Sequence, residues 1–155
     1  MSDLQNGDIA PDFTLATDTV GDISLSGLKG QKVVLFFYPK DDTSGCTVEA
    51  KEFSALKDDF KALNCVIIGL SGDSVASHAK FRTKQDLSII LAADEDHTAL
   101  EAYGVWQTKK NYGREYMGIV RSTYLIDEDG KIIEHWTKVQ VKNHVQSVLD
   151  RLKDA

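Results

Sequence analysis

The chain has 155 residues, 42% of them apolar and 27% charged, with a net charge of −6. That length fits one domain with a sizeable core, and the acidic balance argues against nucleic acid or an anionic membrane as partner, because phosphate binding needs clustered Lys and Arg. No apolar run approaches the roughly 20 residues of a membrane span, the polar start "MSDLQNGDIAPDF" is no signal peptide, and two cysteines make no disulfide framework, so a reducing cytoplasm is the expected compartment.

Residues 12 to 25 predict a small N-terminal hairpin around "TVGD". "KVVLFFYP", 32 to 39, is a continuous apolar run ended by proline, the pattern of a strand buried on both faces. Phe53, Leu56, Phe60 and Leu63 then mark one face of an amphipathic helix starting near Thr43 to Cys46. "CVIIGLS" (65 to 71) is a second buried strand, residues 75 to 85 a short polar helix, and "SIILAAD" (88 to 94) a third strand. "HTALEAYGV" is a short helix ending near Gly104. "STYLIDEDGKIIEHW" (122 to 136) reads as strand, Asp-Gly turn, strand. Val141, Val145, Val148, Leu149 and Leu152 make the last helix amphipathic. The order β-α-β-α-β-α-β-β-α predicts an α/β sandwich with helices on both faces of a mostly parallel sheet, mixed because of the late hairpin. Sites in such folds lie beyond the carboxyl ends of the strands, which is where Cys46 falls.

Cys46 sits in "PKDDTSGCTVEA", flanked by Gly and Thr after two acids rather than inside an apolar run. Thr43 or Ser44 is a good N-cap, which places Cys46 in the first helical turn. There the helix dipole and free N–H groups favour the thiolate, the nucleophilic form. Gly45 allows close approach to the backbone. Glu49, assigned to the same first turn, suits the dipole but opposes thiolate charge, so a nearby cation is wanted. Cys65, opening "CVIIGL", reads as a core cysteine. Read on their own, Arg121 is a charged residue before a strand, Pro39 a strand terminator and Thr43 a cap.

Pro39, Thr43 and Cys46 spell P-x-x-x-T-x-x-C, which resembles the active-site signature of the peroxiredoxins. "APDFTL", "FFYPKDDTSGCTVEA", "SHAKF", "YGVW", "YMGIVRSTYLID" and "KNHVQSVL" are together similar to the bacterioferritin comigratory protein branch, or Q type, over nearly the whole chain. The resemblance implies a thioredoxin-like fold with an N-terminal β extension, and thiol-dependent reduction of hydrogen peroxide and organic hydroperoxides. It implies that Cys46 is the peroxidatic nucleophile, that Thr43 hydrogen-bonds the peroxide, that Pro39 shields the thiolate, and that Arg121 donates to thiolate and peroxide. Glu49 is implied as a support that orients Arg121. Ionisation alone is not the mechanism: with a thiol pKa near 8.5 about 3% is thiolate at pH 7, so full ionisation gains at most about 30-fold. Further selectivity must come from donors placed on the peroxide oxygens.

Many members of this branch carry a resolving cysteine five residues after the first, where this chain has Lys51, or in the stretch matching "SHAKFRTKQ", which has none. A 1-Cys cycle is therefore expected, with an external thiol (thioredoxin, glutaredoxin or glutathione) as reductant. Cys65 as resolver is the less favoured alternative. The histidines at 78, 97, 135 and 144 are scattered, and no Cys/His spacing points to zinc. No glycine-rich phosphate loop implies a nucleotide cofactor. "DEDGK" reads as a turn, and "ADEDH" as a solvated loop. By resemblance the protein is a monomer or weak dimer. The competing readings are a thioredoxin-type disulfide oxidoreductase, disfavoured because Cys46-Thr47-Val48-Glu49 is not C-x-x-C, and a non-enzymatic holdase or redox sensor.

Overall fold

The computed structural model describes residues 4–155. An N-terminal hairpin, β1 (Thr14–Thr17) and β2 (Asp22–Ser24), and a short 3-10 turn lead into β3 (Lys32–Phe37). Then follow α1 (Ser44–Ala55), α2 (Lys57–Ala62), β4 (Cys65–Ser71), α3 (Val75–Gln85), β5 (Ile90–Ala93) and α4 (Thr98–Ala102). A hairpin of β6 (Trp106–Asn111) and β7 (Arg114–Ile119) precedes β8 (Ser122–Ile126), β9 (Ile132–Trp136) and α5 (His144–Lys153). The seven-stranded sheet runs β2-β1-β5-β4-β3-β8-β9, and β6-β7 stand apart as a two-stranded ribbon.

β3 is central, as its unbroken apolar sequence requires. Val34, Phe36 and the following Tyr38 face one core, with α1, α2, α3 and α5 packed over them. Val33, Leu35 and Phe37 face the other, which is closed by α4, Ala10, Phe13 and Leu25. Successive strand residues point to opposite faces, so both faces need apolar cover. The sheet is mixed, as expected, but not mostly parallel. Among the described residues only β3–β4 and β4–β5 pair in parallel. β1 joins β5, and β8 joins β3, antiparallel. The reason is the connection: β8 follows a hairpin instead of a crossover helix, so it enters the sheet at the end where β3 leaves it.

Three local expectations are corrected. The stripe from Phe53 to Leu63 is two helices, not one, broken at Leu56 (φ −99°, ψ 7°), yet all four apolar residues still pack on the same core. Val141 lies before α5 rather than on it. In "ADEDH", Asp94 is buried and accepts from the Leu100 N–H at 2.8 Å, capping the short α4 instead of facing water. The β6–β7 hairpin was not foreseen. Its two-residue turn, Tyr112-Gly113, has φ of 52° and 76°, the twist that matches paired strands. The "DEDGK" turn forms as expected, with the Asp127 carboxylate accepting from the N–H groups of Asp129 and Lys131.

Packing reaches the helix that carries Cys46 through one contact chain. Phe36 of β3 stacks on Phe53 of α1 with ring centroids 4.6 Å apart. A methyl group on Gly69 of β4 would sit 2.6 Å from the Phe36 ring and 3.1 Å from Leu91. Gly69→Ala therefore forces Phe36 toward Phe53, and is expected to cost about 1–3 kcal/mol of stability by overpacking. A chemical-denaturation midpoint measures it.

Candidate active site

β3 ends at Phe37, and the chain turns through Tyr38, Pro39, Lys40, Asp41 and Asp42 into α1. Thr43 occupies the N-cap position with extended backbone (φ −91°, ψ 159°). Its side chain does not cap the helix as expected. The hydroxyl donates instead to the Lys40 carbonyl at 2.9 Å, while its carbonyl accepts the first helical bond from Thr47. Cys46 is thus the third helical residue. It is 1% exposed, a free thiol under the mouth of the helix.

The wanted cation is present. Arg121 immediately precedes β8, whose Ser122 pairs with Phe37 at the carboxyl end of β3. Its Nη2 donates to Cys46 Sγ at 3.3 Å and its Nη1 to Glu49 Oε1 at 2.7 Å. Gly45 makes room for this approach: a Cβ there would lie 3.2 Å from Nη2 and 3.9 Å from Val141 Cγ2. Val139 donates its N–H to the Arg121 carbonyl at 3.0 Å, which fixes the arginine backbone. Pro39 is half-buried and borders a pocket of about 340 Å³ with Trp106, Tyr116, Met117 and Ile119.

Glu49 lies one turn beyond the expected first turn, fully buried. Burial pushes its pKa up to about 7, against the opposing pull of Arg121. Burial also resists the charge on Arg121, but contacts with Cys46 and Glu49 outweigh it and raise that pKa. The two directions are compatible: the guanidinium has two partners, Cys46 and Glu49, whereas Glu49 uses one oxygen, and Oε2 has no hydrogen-bond partner among the described residues. His144 Nε2 stands 4.0 Å from that oxygen and 2.8 Å from Thr123 Oγ1. Burial and the Arg121 charge hold the His144 pKa down to about 4, so the ring is neutral.

The structure brings Gly45, Cys46, Glu49 and Arg121 into contact and sets Pro39 and Thr43 on the loop beside them. It does not bring Cys65 near. Sequence reasoning missed Asp41, His78, Val141 and His144. The only signal for the first two was two acids in a turn and a histidine in a polar helix, and neither identifies a contact across 37 residues.

A model of the AhpC/TSA family matches residues 6–135. The chain belongs to this family. It is 48% identical over 151 residues to peroxiredoxin Bcp of Bacillus subtilis (strain 168), covering 97% of this chain and 96% of that one. The Xanthomonas campestris bacterioferritin comigratory protein, whose structure was described for its alkyl peroxide reduction activity, superposes with a TM-score of 0.89 at 35% identity, over 99% of this chain and 98% of that one. A yeast mitochondrial 1-Cys peroxiredoxin, described for thiol resolution via glutathione/thioredoxin systems, gives a TM-score of 0.81 at 27% identity, over 98% of this chain and 76% of that one. The fold is the thioredoxin-like peroxiredoxin fold, and the enzyme is a thiol-dependent peroxidase with a hydroperoxide substrate and a thiol reductant.

Glu49 yields a prediction with a definite sign. It carries a proton below about pH 7 and a charge above it, and the charged form grips Arg121 more strongly. As pH falls through about 7, the peroxide rate is expected to fall with it; Glu49→Gln should lower the plateau and flatten that limb. A raised carboxylate pKa favours the folded state below the ordinary value of 4.5, and this is lost as pH rises to about 7. The wild type should therefore lose up to about 3 kcal/mol relative to Glu49→Gln across that window. Rate and denaturation profiles over pH check both.

Proposed function

We propose that this single-domain enzyme reduces hydrogen peroxide and organic hydroperoxides at Cys46 in a 1-Cys cycle, with the second electron pair supplied by an external thiol. The observation that carries the reading is the fork of Arg121, with one nitrogen on Sγ and the other on Glu49. The thiolate attacks the terminal peroxide oxygen. The S–O bond forms as the O–O bond breaks, and the departing alkoxide or hydroxide takes a proton from solvent and leaves as alcohol or water. Charge moves from sulfur to that leaving oxygen, and in this reading Arg121, 3.3 Å from Sγ, donates to that oxygen as well, so its stabilisation is strongest in the transition state. Thr43 has directed its own proton to Lys40, so its oxygen is the acceptor for the peroxide O–H. Pro39 walls the thiolate from solvent. The alkyl peroxide activity of the Xanthomonas relative supports the organic substrates.

The 1-Cys cycle is supported by strand register. Cys65 opens β4 beside Lys32 at the amino end of β3, whereas Cys46 lies past the carboxyl end. Five residue steps at about 3.3 Å separate the two ends by roughly 16 Å, and a disulfide needs Cα atoms within about 7 Å. Burial also pushes the Cys65 thiol up to about 12, so it is protonated and inert at neutral pH. The sulfenic acid is then left to thioredoxin, glutaredoxin or glutathione, as supported by the yeast 1-Cys relative. The net charge of −6 supports a protein without nucleic-acid or anionic-membrane partners, and two free cysteines in place of a disulfide framework support a reducing cytoplasm; among the described residues no helix is long and apolar enough to cross a membrane. A monomer or weak dimer completes the reading.

Non-reducing mass spectrometry after one equivalent of peroxide tests the cycle. The expected product is a sulfenic acid on Cys46, passing to sulfinic acid with excess peroxide, with no Cys46–Cys65 disulfide. Cys46→Ser should abolish peroxide consumption with dithiothreitol. An intrachain disulfide would overturn the 1-Cys cycle. Insulin reduction would reveal a disulfide exchanger, and chaperone activity retained in Cys46→Ser with no peroxidase activity in the wild type would favour a holdase.

A further inference from the structure

The two acids before the active-site helix are both taken up by α3. Asp42 turns outward, where Lys84 Nζ meets it at 2.6 Å and Gln85 donates to it at 3.0 Å. Asp41 turns inward and is buried. Its carboxylate accepts from Tyr38 Oη at 2.6 Å and Ser77 Oγ at 2.8 Å, and lies 2.8 Å from His78 Nδ1. Its backbone N–H donates to Asp73 Oδ2 at 2.8 Å.

His78 is wholly buried. Its second nitrogen, Nε2, lies 2.9 Å from the Ala92 carbonyl oxygen of β5. Both nitrogens therefore face acceptors, one a carboxylate and one a carbonyl, and only an imidazolium donates to both. Burial opposes that charge, but the hydrogen bond and charge of Asp41 and the Ala92 carbonyl outweigh it and raise the His78 pKa. Burial likewise opposes ionisation of Asp41, and His78, Tyr38 and Ser77 together lower its pKa. The pair is a buried, charge-assisted clamp between loop and helix.

This clamp matters because it anchors the middle of the loop, between the buried Tyr38 and Cys46. Lys40, Asp42, Thr43 and Ser44 are exposed, so between Pro39 and Ser44 the loop is held by polar bonds, to Ser77, His78, Lys84 and Gln85 of α3 and to Asp73 before it. Cys46 is 1% exposed. A peroxide presents two small oxygens, but a thiol reductant must bring a larger sulfur into line with Sγ, and the first turn has to move to admit it.

We infer that the Asp41–His78 pair is a latch: closed, it holds Thr43 and Cys46 in the geometry that accepts peroxide; open, it exposes oxidised Cys46 to the reducing thiol. His78 is a positioning residue, since it touches no substrate. The inference rests on Cys46 being the peroxidatic residue, which its serine variant tests separately. The latch favours fast oxidation and slow regeneration, so it also sets how long the sulfenic acid waits for a second, over-oxidising peroxide. From neutral to alkaline pH the latch depends on His78, and below that on Asp41, whose lowered pKa keeps it charged until pH falls beneath the ordinary carboxylate range. The groups facing His78 are Asp41 from the loop, Tyr38 after β3, Asp73 after β4 and the Ala92 carbonyl of β5. The hold is complete between the carboxylate range and the ordinary histidine range, and it weakens as pH rises through the raised His78 value.

The test uses His78→Gln, with Ser77→Ala as a milder variant that removes one bond to Asp41. Amide exchange over residues 44–50 is measured with the rates of Cys46 oxidation by hydrogen peroxide and of sulfenic-acid reduction by dithiothreitol. Loss of a buried charge-assisted bond should raise exchange there by about tenfold or more. Oxidation should slow while reduction quickens, and the alkaline decline in oxidation expected of the wild type should be absent from the variant. Unchanged exchange at 44–50, or oxidation and reduction slowing together, overturns the latch. If His78→Gln does not fold, Ser77→Ala decides by the same criteria with smaller changes. Because exchange reports the latch without any turnover, its failure is distinguishable from failure of Cys46 as nucleophile.

Discussion

The site depends on one half-buried cation. Arg121 holds two neighbours at once, sulfur at 3.3 Å and carboxylate at 2.7 Å, which the planar, forked guanidinium can do and a lysine ammonium cannot do with the same geometry. Glu49 is fully buried, and a charge there is costly unless it is paired. Glu49 therefore belongs to the site although it does not touch the sulfur. Gly45 belongs to it for a steric reason, since a side chain there would press on the guanidinium. Fold and chemistry share the same contacts at this point.

Sheet direction explains how residues 75 positions apart meet. β8 is antiparallel to β3, so the residue before β8 lies at the end where β3 finishes. Had β8 been parallel, Arg121 would enter at the far end of β3, roughly 16 Å away by the rise of a strand. The unforeseen β6–β7 hairpin is what delivers the chain to that end. The same register argument separates Cys65 from Cys46, because β4 is parallel to β3 and begins beside its start. Strand direction thus brings in the arginine and keeps out the second thiol.

Much of this was readable without coordinates. β3 announced itself as a run with no polar residue between Val33 and Tyr38, and the Asp-Gly turn marked the β8–β9 hairpin. Cys46 stood out because Gly and Thr flank it at a strand-to-helix turn. The parts that were not readable are those that depend on partners distant in the chain. Asp41 and Asp42 look alike in sequence, yet one is a buried acceptor and the other a surface ion pair, and only the position of α3 distinguishes them. Histidines 78 and 144 appear scattered because their neighbours come from other elements. β6–β7 escaped notice because its exposed ribbon, with Lys109, Lys110, Tyr112 and Arg114, lacks the one-sided apolar alternation that marks a packed strand. Thr43 was expected as a cap on residue type, and the Lys40 carbonyl competed successfully for its hydroxyl proton.

As proposed, Arg121 acts through its fork, aimed at charge that develops on the peroxide, and not simply as a nearby positive charge. Arg121→Lys keeps the charge and loses the two-pronged contact. The direct measurement is the stopped-flow rate of hydrogen peroxide with the prereduced variant, with the thiolate fraction followed by absorbance in the same samples. The expected loss in rate is about a hundredfold, comparable to removing one oxyanion donor and well beyond any change in thiolate fraction. A rate that stays near the wild type, or that falls only in step with the thiolate fraction, would contradict it.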